Sequence, residues 1–157
     1  MQKWTVPKAS LLPAALLALI VIFTFGSLQN YGPESTVRRF HTSLTNIQKS
    51  QLENRGIPAN EWARLRSSLV EDVGATPGSG TDQYAKLLVE RVYDQYRIGA
   101  TYSLARMDRH PREVRIAVVY APPGMPQSTI VWVVTKPSGS REWKINARKT
   151  FSAMGVP

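Results

Sequence analysis

Between Leu11 and Leu28 the chain reads LLPAALLALIVIFTFGSL, eighteen residues without a charged side chain. As a helix rising 1.5 Å per residue this run is about 27 Å long, close to the hydrocarbon thickness of a bilayer. No polar face interrupts it, as one would in a helix lying on a soluble core. A transmembrane helix is therefore expected over residues 11–28. Pro13 falls in its first turn, where a missing N–H costs nothing, and Trp4 and Tyr31 flank it where interfacial aromatics belong. Lys3 and Lys8 precede the run, whereas Gln29 to Pro33 carries no cation. The positive-inside rule then predicts a cytoplasmic N-terminus, residues 1–10, in a single-pass protein of the inner (cytoplasmic) membrane. A cleaved signal peptide would need a small-x-small exit. Phe23-Thr24-Phe25-Gly26-Ser27-Leu28 offers only Thr24-x-Gly26, so an uncleaved anchor is the expectation. Ala14, Ala18 and Gly26 give it small surfaces for close helix contact, without a strict GxxxG.

After a linker over residues 29–36, residues 37–157 are long enough for one modest core and belong on the extracytoplasmic, or periplasmic, side. Of the 157 residues, 43% are hydrophobic and 20% charged, the composition of a folded chain rather than a disordered one. There is no cysteine, which excludes disulfides, thiolate metal sites and thiol nucleophiles. The formal charge of +9 raises anionic lipid, acidic protein surfaces and nucleic acid as partners. An extracytoplasmic domain rarely meets the last.

Gly32-Pro33-Glu34-Ser35-Thr36 breaks the chain and offers an N-cap, and Val37, Phe40, His41, Leu44 and Ile47 then recur at helical spacing. Gly56-Ile57-Pro58 ends that helix. Asn60 is expected to cap a second, with Trp62, Leu65 and Leu69 inward. The run GATPGSG, residues 74–80, reads as a flexible loop. Thr81 and Asp82 open a third helix, with Tyr84, Leu87, Leu88, Arg91, Val92 and Gln95 on one face. From Gly99 the period changes from 3.6 to 2. Four strands are expected, near 100–107, 114–120, 129–135 and 142–148, joined by short turns into an antiparallel meander. One transmembrane helix followed by about three helices packed on a four-stranded antiparallel sheet is an α+β fold.

Two segments carry a family likeness. Val37-Arg38-Arg39-Phe40-His41-Thr42-Ser43-Leu44 resembles the first helix of the NTF2-like (SnoaL-like, cystatin-type cone) superfamily. Arg141-Glu142-Trp143-Lys144-Ile145-Asn146 resembles its closing strand, G-x-W-K-I. The likeness spans about residues 35–150, although the stretch with Trp62 and the glycine-rich loop has no counterpart in the pattern. It implies a cone between sheet and helices. That fold hosts enzymes, binders and assembly factors alike.

Residues able to do chemistry are scattered. His41 lies on the apolar stripe of the first helix, the place of a hydrogen-bonded core histidine rather than a cavity base. His110 lies in the turn Asp108-Arg109-His110-Pro111-Arg112. Neither has a second ligand at metal spacing, and no metal or cofactor is expected. Glu90 and Asp94 are the only acids near a cone mouth, while Glu71 and Asp72 read as a solvated helix end. There is no Gly-x-Ser-x-Gly, and the glycine-rich loop lacks the Lys-Ser/Thr ending of a phosphate loop. Trp132 and Trp143, on adjacent strands, read as core.

The basic residues are the strongest remaining signal. Arg97, Arg106, Arg109, Arg112 and Arg115 gather around the first hairpin, and Lys136, Arg141, Lys144, Arg148 and Lys149 around the last. Of these, Arg106, Arg109, Arg112, Arg115, Lys144, Arg148 and Lys149 are the expected contacts to a partner or to lipid headgroups. The reading that results is a non-catalytic accessory subunit of a larger membrane protein complex, such as a photosynthetic or respiratory one. The alternative is a tethered NTF2-like ligand-binding or enzymatic domain, with a cavity lined by His41, Tyr84, Tyr102 and Asp94.

Overall fold

The stripe that begins at Val37 forms helix α1 (Pro33–Leu52) in a computed structural model of the chain, which describes residues 32–70, 79–93, 95–97 and 99–155. Val37, Phe40, His41, Leu44 and Ile47 are all buried along it. Glu34 in the first turn and Lys49 in the last follow the sign of the helix dipole. At its end the Arg55 N–H reaches back to the Ser50 carbonyl at 2.9 Å. Asn54 takes the left-handed conformation this closure needs, with φ of 56°.

Helix α2 (Ala59–Ser67) follows. Asn60 lies inside it, and Pro58 occupies the cap without a side-chain hydrogen bond. Proline is pre-set for that entry, which leaves the expected asparagine cap unused. Leu65 is buried as expected, but Leu69 lies beyond the helix and forms an isolated parallel bridge to Ile145. Helix α3 (Ser79–Tyr93) starts at Ser79, inside the expected loop, whose residues 74–78 lie outside the described ones. Its core stripe is Ala85, Leu88 and Val92, whereas Leu87 and Arg91 are exposed. Spacings of three and four fit two neighbouring faces here, and burial of Ala85 selects one.

Strands β1 (Thr101–His110), β2 (Glu113–Ala121), β3 (Ser128–Thr135) and β4 (Lys144–Ile145) form one antiparallel sheet in that order. The inner face carries Val114, Ile116, Val118 and Tyr120 of β2 beside Ile130, Trp132 and Val134 of β3, all buried. These residues share one core with α1, α2 and α3. A bulge between Arg106 and Asp108 shifts the register of β1. Arg106 thus stays on the inner row opposite Ile116, while Asp108 stands opposite Arg115.

The expected fourth strand is largely replaced by a helix. Only Lys144 and Ile145 pair with β3, and Ala147–Ala153 form helix α4. The Asn146 side chain accepts from the Lys149 N–H at 3.0 Å, and the Thr150 hydroxyl accepts from the Val133 N–H at 3.1 Å. Alternation of Trp143, Ile145 and Ala147 looks like a strand, but the cap and the edge hydrogen bond favour a turn of helix against β3. The described residues therefore hold four helices, not three. Among them no helix is long and apolar enough to cross a membrane. The expected anchor, with Ala14, Ala18 and Gly26, lies outside the described residues.

Candidate functional site

Helix α1 runs along the sheet from one end to the other. At its start the Thr36 hydroxyl donates to the Trp143 carbonyl at 3.0 Å, beside β4. At its far end Gln48 Nε2 donates to the Tyr96 carbonyl at 2.6 Å, beside the start of β1. Two clusters of functional side chains lie along this axis.

The first surrounds His41, which is fully buried. Nδ1 lies 2.7 Å from the Val37 carbonyl, and Nε2 lies 2.8 Å from the Tyr120 hydroxyl. A carbonyl only accepts, so Nδ1 carries the proton and Nε2 accepts from Tyr120. The Tyr120 oxygen in turn accepts from Trp132 Nε1 at 3.1 Å. The chain of bonds is directional and closed: indole to phenol, phenol to imidazole, imidazole to backbone. Tyr102 stacks on the imidazole, with ring centroids 4.5 Å apart and planes 21° from parallel, and Tyr96 meets it edge-on at 5.0 Å. Phe40 packs edge-on against Trp132 at 5.0 Å.

Burial lowers the pKa of His41 from 6.5 to about 4, against a smaller opposing effect of the Val37 carbonyl. Burial likewise pushes Tyr120 well above its ordinary value. Tyr102 is also raised, chiefly by burial, with Arg38 acting in the opposite sense. A general base needs a lone pair open to a substrate proton. The only lone pair of His41 is taken by Tyr120.

The structure brings together only part of the expected cavity set among the described residues. His41 and Tyr102 are together, but Tyr84 belongs to another surface. Its hydroxyl accepts from Arg148 Nε at 3.2 Å, and its ring faces Phe151. Glu90 is exposed, and Glu71, Asp72 and Asp94 lie outside the described residues. Tyr96 and Tyr120 are the members of the cluster that sequence reasoning missed as partners of His41. Alternation put Tyr120 on the inner face, but nothing local couples it to a histidine seventy-nine residues away. Among the described residues no three His, Asp or Glu side chains gather as a metal set.

The second cluster is basic and lies at the end of the sheet where α1 begins. The structure divides the expected contact residues. Arg106 Nε donates to Glu34 at 2.6 Å, Lys144 pairs with Glu142 at 3.1 Å, and Lys149 pairs with Glu113. The hydrogen bond and charge of Lys144 hold the Glu142 carboxyl below its usual range. Arg112 donates to the Ser138 hydroxyl at 3.1 Å, and Arg148 is bound to Tyr84. Arg109 and Arg115 have no carboxylate partner among the described residues, nor do Lys136 and Arg141 in the loop before β4. Arg115 and the Lys149–Glu113 pair line a groove of about 430 Å³ between the outer sheet face and α4. The turn at the opposite end of the sheet, residues 121–128, reads APPGMPQS and carries no charge, but Arg97, expected around the first hairpin, lies beside it instead, just ahead of β1.

No family model matches this chain, and neither do any curated proteins or solved structures.

Proposed function

We propose that the chain is a non-catalytic accessory subunit of a larger membrane protein complex. Residues 11–28 anchor it in the inner membrane and pack against other helices there. The α+β domain, an NTF2-like fold in this reading, docks on the extracytoplasmic side through its basic surface. One observation carries the case against catalysis: the buried imidazole that an NTF2-like cavity would use as a base spends both nitrogens on Val37 and Tyr120. Cations without an internal partner then form the main chemical asset of the domain's surface. The long first helix laid across an antiparallel sheet supports the NTF2-like kinship.

The test is recovery of the tagged full chain from native membranes in mild detergent. Stoichiometric co-purification of other membrane subunits is expected. Elution of the chain alone at native abundance would remove the accessory role.

A further inference from the structure

We infer that the basic end of the sheet faces the bilayer and binds anionic phospholipid headgroups. This rests on the anchor proposed above and names the partner of the basic surface.

Connectivity supplies the first half of the argument. Four residues, 29–32, separate Leu28 from Pro33, the first residue of α1. A fully extended chain of that length keeps Pro33 within about 18 Å of the end of the apolar run. The start of α1 lies at one particular end of the sheet, fixed there by Thr36 on the Trp143 carbonyl and by Glu34 on Arg106. The chain therefore enters the domain at that end.

Charge supplies the second half. The same end carries Arg109, Arg112, Lys136 and Arg141, none with a carboxylate partner among the described residues, and Arg115 follows one row inward. At the opposite end the 121–128 turn is uncharged, with Arg97 beside it just ahead of β1. The strands between hold the two ends roughly 27 Å apart. That separation is about three Debye lengths at physiological salt, so a charged headgroup layer distinguishes the ends. Each cation that reaches such a surface strengthens its attraction about fivefold. Entry of the chain at the far end would have kept these cations away from the layer; entry at the basic end brings them to it. Arg side chains also match phosphate geometry with paired N–H donors.

The experiment uses the full chain, whose lack of cysteine allows single-site labelling. Pro111→Cys marks the basic end and Met125→Cys the neutral turn, both at exposed positions. Each labelled chain is reconstituted into phosphatidylcholine vesicles with and without one-third phosphatidylglycerol, with a quencher at headgroup depth. Quenching at Pro111→Cys is expected to exceed that at Met125→Cys severalfold in the anionic vesicles. That excess should fall severalfold in pure phosphatidylcholine, at about 0.5 M salt, and in an Arg109→Gln/Arg112→Gln/Arg141→Gln chain whose circular dichroism is unchanged.

Equal quenching at the two sites, or quenching indifferent to anionic lipid, overturns the inference and leaves the accessory reading standing. Protection of Pro111→Cys in native membranes but not in anionic vesicles also overturns it, by assigning the surface to a protein. Release of the chain by alkaline carbonate would remove the anchor, and both proposals with it.

Discussion

Tyr120 donates its hydroxyl proton to Nε2 of His41 across 2.8 Å, in a core where both residues are fully buried. This bond decides the tautomer of the histidine, and it places the phenol oxygen to accept from Trp132. The three side chains come from α1, β2 and β3, so the network fixes the helix in one position on the sheet.

Tyr120→Phe keeps the ring and removes only the oxygen. It leaves His41 Nε2 and Trp132 Nε1 without partners in a buried site, each costing about 1 to 3 kcal/mol. A loss of roughly 3 kcal/mol is expected in urea unfolding at neutral pH. Combined with His41→Leu, the cost should be smaller than the sum of the two single changes, because one deletion removes the other's unmet partner.

Acid should destabilise the domain through His41. Burial depresses its folded pKa from 6.5 to about 4. The fold refuses a proton that the unfolded chain accepts, so stability is fully present above pH 6.5 and declines as the pH falls toward about 4. The total loss through that window is about 3 kcal/mol. Urea midpoints measured across the window should show this slope, and His41→Gln should flatten it.

Thr150→Val conserves shape but deprives the Val133 N–H of its acceptor. A cost of about 1 to 2 kcal/mol is expected. Hydrogen exchange at Val133 should accelerate far more than at Val118, which lies in the middle of the sheet. Equal acceleration at both would mean that α4 does not protect this edge.

Asn54 terminates α1 at positive φ. Asn54→Val should cost about 1 to 2 kcal/mol in thermal unfolding, because a β-branched side chain is strained there. Asn54→Gly should be neutral or slightly stabilising, because glycine adopts this conformation freely.

Much of the fold was legible from periodicity. The α1 stripe and the β2 and β3 alternations each report burial on one side of a regular element, a property local sequence encodes directly. Errors fell where two local readings competed. The stripe of α3 fitted either of two neighbouring faces. The segment after Trp143 alternates like a strand but is capped like a helix, and only an unsatisfied β3 edge gives the Thr150 hydroxyl its role. At the candidate site, sequence placed His41 in the core and located the cations, but it could not say which cations were already spent. Arg106 is neutralised by Glu34, seventy-two residues away, and no spacing rule reaches that far.

What the sequence determined by itself is therefore the uncharged run at 11–28, the α+β class, the inner face of the central strands and the excess of positive charge, because each is a property of residues close together in the chain. The tertiary structure alone decided that His41, Tyr120 and Trp132 satisfy one another, and that α1 starts at the basic end of the sheet. Both depend on which distant elements meet, and packing of the whole core chooses that.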